Sequence, residues 1–237
     1  MKTWQKATHK DIEKLVQDGK VIILSLGTIE AHGAHLPLGT DAYIAKRFAR
    51  DIAKKTNSVL GPNLLFGPCE TLLSFAGTIT IKEKTLFLLL KDILDSIFQH
   101  GFKKVLIVNG HGGNTIVLEK ICAHYGKTTE GSKVFFKSWY DVKFARNLKK
   151  KDKTYRGDHA DRLETEIMLA INRNLVSPNL AVDDLVKWPL GWEKLDDYSQ
   201  LMKNAVDGFP TKALLEKSVK NYETILKEMI KELRFLK

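Results

Sequence analysis

Val21-Ile22-Ile23-Leu24 is an apolar run, mostly β-branched and without a helical period, and Gly27 follows it closely. Such a run, stopped by glycine, predicts a strand buried on both faces that feeds a loop. Val105-Leu106-Ile107-Val108 repeats the pattern, introduced by Gly101 and Lys103-Lys104 and closed by Asn109-Gly110. Val134-Phe135-Phe136 predicts a third strand, and residues 78–81 a short fourth. Helical patterns lie between them over residues 41–55, 84–99, 115–128 and 164–172, and a long amphipathic helix covers 212–237. Residues 146–156, with Lys149-Lys150-Lys151, read as an exposed loop. Strands alternating with helices make an α/β fold whose mostly parallel sheet is covered on both faces. Ligands bind such sheets beyond the carboxyl ends of the strands, so the loops after each strand are where chemistry is expected.

The composition of the 237 residues, 43% hydrophobic and 28% charged, excludes disordered, collagen-like and coiled-coil chains. No linker or repeat divides them, which makes 1–237 a single domain. Cys69 and Cys122 offer neither a disulfide framework nor zinc-ligand spacing, as in a reduced cytoplasmic protein. No signal-like stretch opens the sequence, and no apolar run is long enough to cross a bilayer. The formal net charge of +10 raises the question of nucleic acid or an anionic substrate. Its lysines are scattered and no helix-turn-helix, OB or RRM signature is visible, so a basic nucleic-acid-binding protein is the weaker alternative.

Three loops hold four of the seven histidines. After the first strand come Glu30, His32, His35 and Asp41; after the second, Asn109-Gly110-His111-Gly112-Gly113-Asn114; further on, Asp158-His159-Ala160-Asp161-Arg162-Leu163-Glu164-Thr165. Carboxylate and imidazole without thiolate suit Zn, Mn or Fe in hydrolytic sites. Glu30 and His32, two apart on an extended loop, share a side and could each hold an ion. Asp41 could bridge two ions through its two oxygens, and His111 would complete one of them from across the crevice. The glycines around His111 could equally form a phosphate-cradling turn at a helix N-terminus.

These segments resemble the creatininase (creatinine amidohydrolase) family across most of the chain. The resemblance rests on Gly27-Thr28-Ile29-Glu30-x-His32-Gly33-x-His35-Leu36-Pro37-Leu38-Gly39-Thr40-Asp41, on Phe75-Ala76-Gly77-Thr78 and on the Asn109 to Asn114 segment. It continues at His159-Ala160-x-x-Leu163-Glu164-Thr165, with an echo at Gly208-Phe209-Pro210. It implies a three-layer α/β/α sandwich, a homo-oligomer (a hexamer in the family), two divalent ions and a small-molecule amide substrate. By position it implies Glu30 and His111 on one ion, His32 on the other and Asp41 between them. It also implies His159 as the acid that protonates the leaving nitrogen, with Asp158 beside it, and Trp139 over the substrate.

The departures shape the expected function. A metal-binding Glu that the family carries two residues after its histidine is here Gly113. Glu164 is the candidate replacement, with Glu70 and Asp158 behind it; alternatively Glu164 orients His111 or His159. A family histidine is missing around Leu72, a proline is Ala76, and a second substrate-facing tryptophan is Tyr155. An altered pocket around an intact metal core implies hydrolysis of a non-peptide C–N bond in a small amide other than creatinine. Within the family the nearest alternative is a formylaminopyrimidine nucleotide deformylase of flavin and deazaflavin biosynthesis, which the positive charge would suit. Of the remaining residues, His35 reads as a loop stabiliser, Thr40 as a helix cap, Cys69 as structural, and Trp188 and Trp192 as interface residues.

Overall fold

Strand β1 (Ile22–Leu26) sits inside a four-stranded parallel sheet of order β2-β1-β3-β4, with β2 Val59–Leu64, β3 Lys104–Asn109 and β4 Lys133–Ser138. The computed structural model describes residues 3–128, 131–191 and 195–233. Ile22 pairs with Val105 and Leu26 with Asn109, so β1 and β3 end level with each other and their following loops leave the sheet side by side.

The two-residue period of the strands sorts their side chains between two cores. Ile23, Leu106 and Val108 face one way. They meet Phe48 of α2 (Thr40–Thr56), Ile167 of α6 (Arg162–Asn172) and Ile225 of α7 (Leu215–Glu232). Ile22, Leu24, Val105 and Ile107 face the other way, onto Leu90 of α3 (Glu83–Gln99) and Leu118 of α4 (Thr115–Thr128). Helix α1 (His9–Gln17), begun by a capping box at Thr8, adds Ile12 and Leu15 to this second core. The result is the three-layer α/β/α sandwich. No helix among the described residues is long and apolar enough to cross a membrane.

Two elements differ from the sequence expectation. Residues 78–81 contribute only one bridge, Ile29 to Ile79, and the fourth strand is β2. Its Gly61-Pro62 pair reads as a turn, but β2 is an edge strand, where proline needs no ladder partner. Residues 146–156 are not one loop, because α5 (Lys143–Lys151) runs through the lysine run. Phe144, Ala145 and Leu148 pack that helix onto the first core, while Lys150 and Lys151 stay exposed. Beyond it, β5 (Gly157–His159) pairs antiparallel with β6 (Asp207–Gly208) and leads directly into α6.

Candidate metal centre

The loop after β1 folds back so that Asp41, in the first turn of α2, stands over Glu30 and His32. Asp41 Oδ1 is 3.2 Å from His32 Nε2, and its Oδ2 is 3.0 Å from His111 Nδ1. One carboxylate thus faces two histidines, one oxygen each. Glu30 Oε1 lies 3.2 Å from His111 Nδ1, 4.0 Å from His32 Nε2 and 3.7 Å from His159 Nδ1. Glu164 Oε2, entering from α6, is 3.8 Å from His32 Nε2. These residues form three overlapping groups with donor atoms inside 4.8 Å: Glu30–Asp41–His111, His32–Asp41–Glu164 and Glu30–His32–His159.

Backbone carbonyls set the orientation of each ring. His32 Nδ1 donates to Glu30 O at 3.1 Å, His111 Nε2 to Pro68 O at 2.8 Å and His159 Nε2 to Ala31 O at 2.7 Å. A carbonyl can only accept, so the nitrogen turned toward the carboxylates is the one left to bind or exchange a proton. His32 Nε2 and Glu30 Oε2 are buried without a hydrogen-bond partner. Orphaned buried polar atoms are rare in native proteins, and an unpaired carboxylate oxygen and imidazole nitrogen within one cluster fit bound cations. The donor set therefore suits divalent ions.

The electrostatics agree. Burial alone would lower His32, but Asp41, Glu164 and Glu30 around it hold its pKa up at about 10. His111 is likewise raised against its burial by Glu30 and Asp41. Burial opposes the charged form of Asp41, yet His32 and His111 hold it well below the usual carboxylate range. Glu164 is pushed up to about 8, mainly by burial and despite His32, with Asp41 and Asp161 adding to the rise. His159 is held down at about 4 by burial and by the charge of His32. Without an ion, the protons on His32 and His111 balance the carboxylates around them.

Supporting contacts fix these side chains, and some escaped the sequence reading. Thr28 Oγ1 donates to Asp41 Oδ2 at 2.5 Å; Thr28 lies inside the first motif, but nothing local signals that its hydroxyl reaches Asp41. Asn109 Oδ1 accepts from the His111 amide at 3.2 Å and its Nδ2 donates to His111 O at 2.8 Å, closing the turn around the histidine. Gly113 is obligatory here, since a Cβ would lie 2.5 Å from both His111 Nε2 and Pro68 O. A carboxylate does approach His32 from α6, where Glu164 Oε2 stands 3.8 Å from Nε2. His35 donates through Nε2 to Thr165 Oγ1 at 3.0 Å and stays outside the cluster. The hydroxyl of Thr40 donates to Pro37 O, while Gly39 holds the cap position of α2.

Other candidates are placed differently. Asp158 is beside His159 in sequence, but its side chain is 85% exposed and pairs with Lys149 at 2.7 Å, and it is Ala31 O that accepts the hydrogen bond from His159 Nε2. Tyr155 is not in the pocket. It is buried behind α6, where its hydroxyl meets Glu166 Oε2 at 2.9 Å and its ring lies under the Arg162 guanidinium. Burial of the Arg162–Glu166 pair makes that contact structural. Trp139 does line the cavity, 3% exposed and stacked on Phe48. Trp188 lies in the cavity wall, its Nε1 donating to Asp207 Oδ2 at 2.9 Å, and Trp192 is outside the described residues.

The cavity measures about 720 Å³ and reaches Glu30, Asp41, His111, His159 and Glu164. Its further lining is acidic, with Glu70, Glu83, Asp141, Asp158, Asp161 and Asp207 against Arg146 and Lys149. Both cations are engaged, Arg146 with Asp141 and Lys149 with Asp158 and Asp161.

Comparison with known proteins bears on the same residues. A family model described as creatinine amidohydrolase matches residues 5–233. The chain is 26% identical over 212 residues to a 3-dehydro-scyllo-inosose hydrolase of Thermotoga maritima, covering 86% of this chain and 67% of that protein. It is 37% identical over 105 residues to a 2-amino-5-formylamino-6-ribosylaminopyrimidin-4(3H)-one 5'-monophosphate deformylase of Methanosphaera stadtmanae, covering 42% and 43% respectively. A solved structure titled "Creatininase Mn" has a TM-score of 0.88 at 22% identity, over 99% of this chain and 98% of that one, a likeness of fold. Since the family match takes in every segment that builds the cluster, the chain belongs to the creatininase family of hydrolases.

Proposed function

We propose that this creatininase-family amidohydrolase uses two divalent ions to cleave a non-peptide C–N bond in a small amide other than creatinine. The observation that supports it most directly is Asp41, whose two oxygens face His32 and His111 at 3.2 and 3.0 Å. Glu30, Asp41 and His111 would hold one ion, and His32, Asp41 and Glu164 the other. When bound, such a pair supplies Lewis acidity toward a carbonyl oxygen and a water acidified to near neutrality.

The chain's own residues handle the proton. His159 Nε2 is tied to Ala31 O, which leaves Nδ1 as its only exchanging atom. That nitrogen faces Glu30, so His159 can hold a proton there and pass it to the departing nitrogen. Glu30, 3.7 Å away, stabilises the imidazolium formed in between. Trp139 provides an apolar wall for the substrate.

The lining favours a neutral or cationic amide over a phosphate-bearing one, because both cavity cations already pair with carboxylates. That argues against the nucleotide deformylase reading despite the charge of +10. Turnover of a panel of formamides, cyclic amides and short peptides, with Mn²⁺ or Zn²⁺ added to chelated protein, tests the assignment. His159→Ala is expected to keep two equivalents of metal and lose about 10²–10⁴-fold in kcat. Loss of an equivalent would instead make His159 a ligand, through its grouping with Glu30 and His32.

A further inference from the structure

Lys149, on the last turn of α5, lies in the cavity wall, and the proton and metal chemistry above makes no use of it. Its Nζ is 2.5 Å from Gly157 O, 2.7 Å from Asp158 Oδ1 and 3.3 Å from Asp161 Oδ2. An ammonium has three donors, and three acceptors surround this one. All three belong to β5 and the turn that joins it to α6, residues 157–161.

That turn needs holding. Gly157 has φ +113° and Ala160, with a side chain, φ +49°. Glycine adopts positive φ freely, but a residue with a Cβ, as at Ala160, persists there only where its surroundings over-determine it. Within the same turn Asp161 Oδ1 accepts from Glu164 N at 2.9 Å, and Ala160 N donates to Glu164 Oε2 at 2.7 Å. Glu164 Oε2 is the atom that faces His32 Nε2. His159 sits in the turn between Asp158 and Ala160, its Nδ1 facing Glu30. One ammonium thus ties α5 to the segment that delivers both the Glu164 carboxylate and the His159 imidazole.

We infer that Lys149 is a positioning residue: through Asp161 it locks the 157–161 turn and so sets Glu164 against His32 and Asp41. With its donors engaged on the turn, it is poorly placed to bind substrate. The inference rests on the reading of Glu164 as a ligand of the second ion, and its test separates the two.

Metal-free protein is titrated calorimetrically with Mn²⁺ alone, comparing the parent chain with Lys149→Met, Lys149→Arg, Asp161→Asn, Lys149→Met/Asp161→Asn and Glu164→Ala. Lys149→Met should weaken the second binding step by about tenfold or more and leave the first within about threefold, the range expected for residues that orient ligands. Lys149→Arg, which keeps the charge, should restore the second step to within about threefold. Asp161→Asn should weaken that same step, and the double variant should be no weaker than the weaker single, because both act through one contact. A Lys149→Met protein with both steps unchanged, or with both weakened alike, overturns the inference, as does additivity in the double variant. If Glu164→Ala also keeps both steps, the ligand reading fails; if only Glu164→Ala loses the second step, Lys149 alone is misassigned. Should Lys149→Met not fold, Lys149→Arg and Asp161→Asn decide: a second step intact in Asp161→Asn overturns the inference.

Discussion

His32 shows how a residue of ordinary chemistry acquires a special one. It is buried, its Nδ1 donates to Glu30 O, and Asp41, Glu164 and Glu30 surround its other nitrogen. A histidine must be neutral to bind a metal, yet in the metal-free chain this one keeps its proton up to about pH 10, and His111 is raised in the same direction. Metal uptake near neutrality therefore expels protons, and apparent affinity should rise with pH, by about tenfold per pH unit for each proton released. Mn²⁺ titrations one pH unit apart, repeated in buffers of different ionisation enthalpy, count those protons. An affinity that stays flat would mean the imidazoles were already neutral.

Among the elements, the loops after β1 and β3 and the start of α6 decide the chemistry, and Gly113 shows how tightly they meet. Returning the family's carboxylate to this place with Gly113→Glu would not strengthen the site, because the Cβ collides with His111 Nε2 and Pro68 O. The variant should lose about 1–3 kcal/mol of stability through overpacking and bind metal less tightly, since the collision displaces the His111 ring. Denaturant melts of the metal-free protein together with Mn²⁺ titration check both effects. A stable variant with tighter metal binding would mean the turn can relax. Helix α5 teaches a related lesson: its lysine run reads as loop, but Phe144, Ala145 and Leu148 give it a core-facing side, and Lys149 turns inward.

For the whole molecule, the charge of +10 and the acidic cavity are separate facts. The lysines that set the total are spread over the surface, whereas the cavity concentrates carboxylates. An ion bound among those carboxylates should stabilise the fold. A ligand present at a hundredfold excess over its Kd stabilises the fold by about 2.7 kcal/mol, which for a chain of this size corresponds to roughly 5–11 °C in Tm per ion. Melting curves followed by fluorescence of the four tryptophans, with chelator and after metal is added back, should show this loss and its reversal. An unchanged Tm would mean that the cluster binds no ion at the concentration tested.

The strands β1, β3 and β4 and the long helices were legible because hydrophobic period is a local property. Strand β2 was not, because Gly61-Pro62 reads as a turn until the strand is known to lie at an edge. The grouping of Glu30, His32, Asp41 and His111 was foreseeable from motifs that follow strand ends, since topology alone brings those ends to one side of the sheet. Glu164 stood among several candidates because its approach depends on how the 157–161 turn bends. Sequence alone misplaced Tyr155 and could not give Asp158 its partner: one-dimensional spacing does not say whether a side chain turns to the histidine beside it, to a lysine on another helix, or into the core behind α6. Residue types and loop positions thus determined what chemistry this protein holds, and packing between distant segments decided which atoms face one another. The physical reason is range: strand period and turn propensity act over a few residues, while the direction of a buried carboxylate is set by neighbours more than a hundred residues away, as Glu164 is from His32.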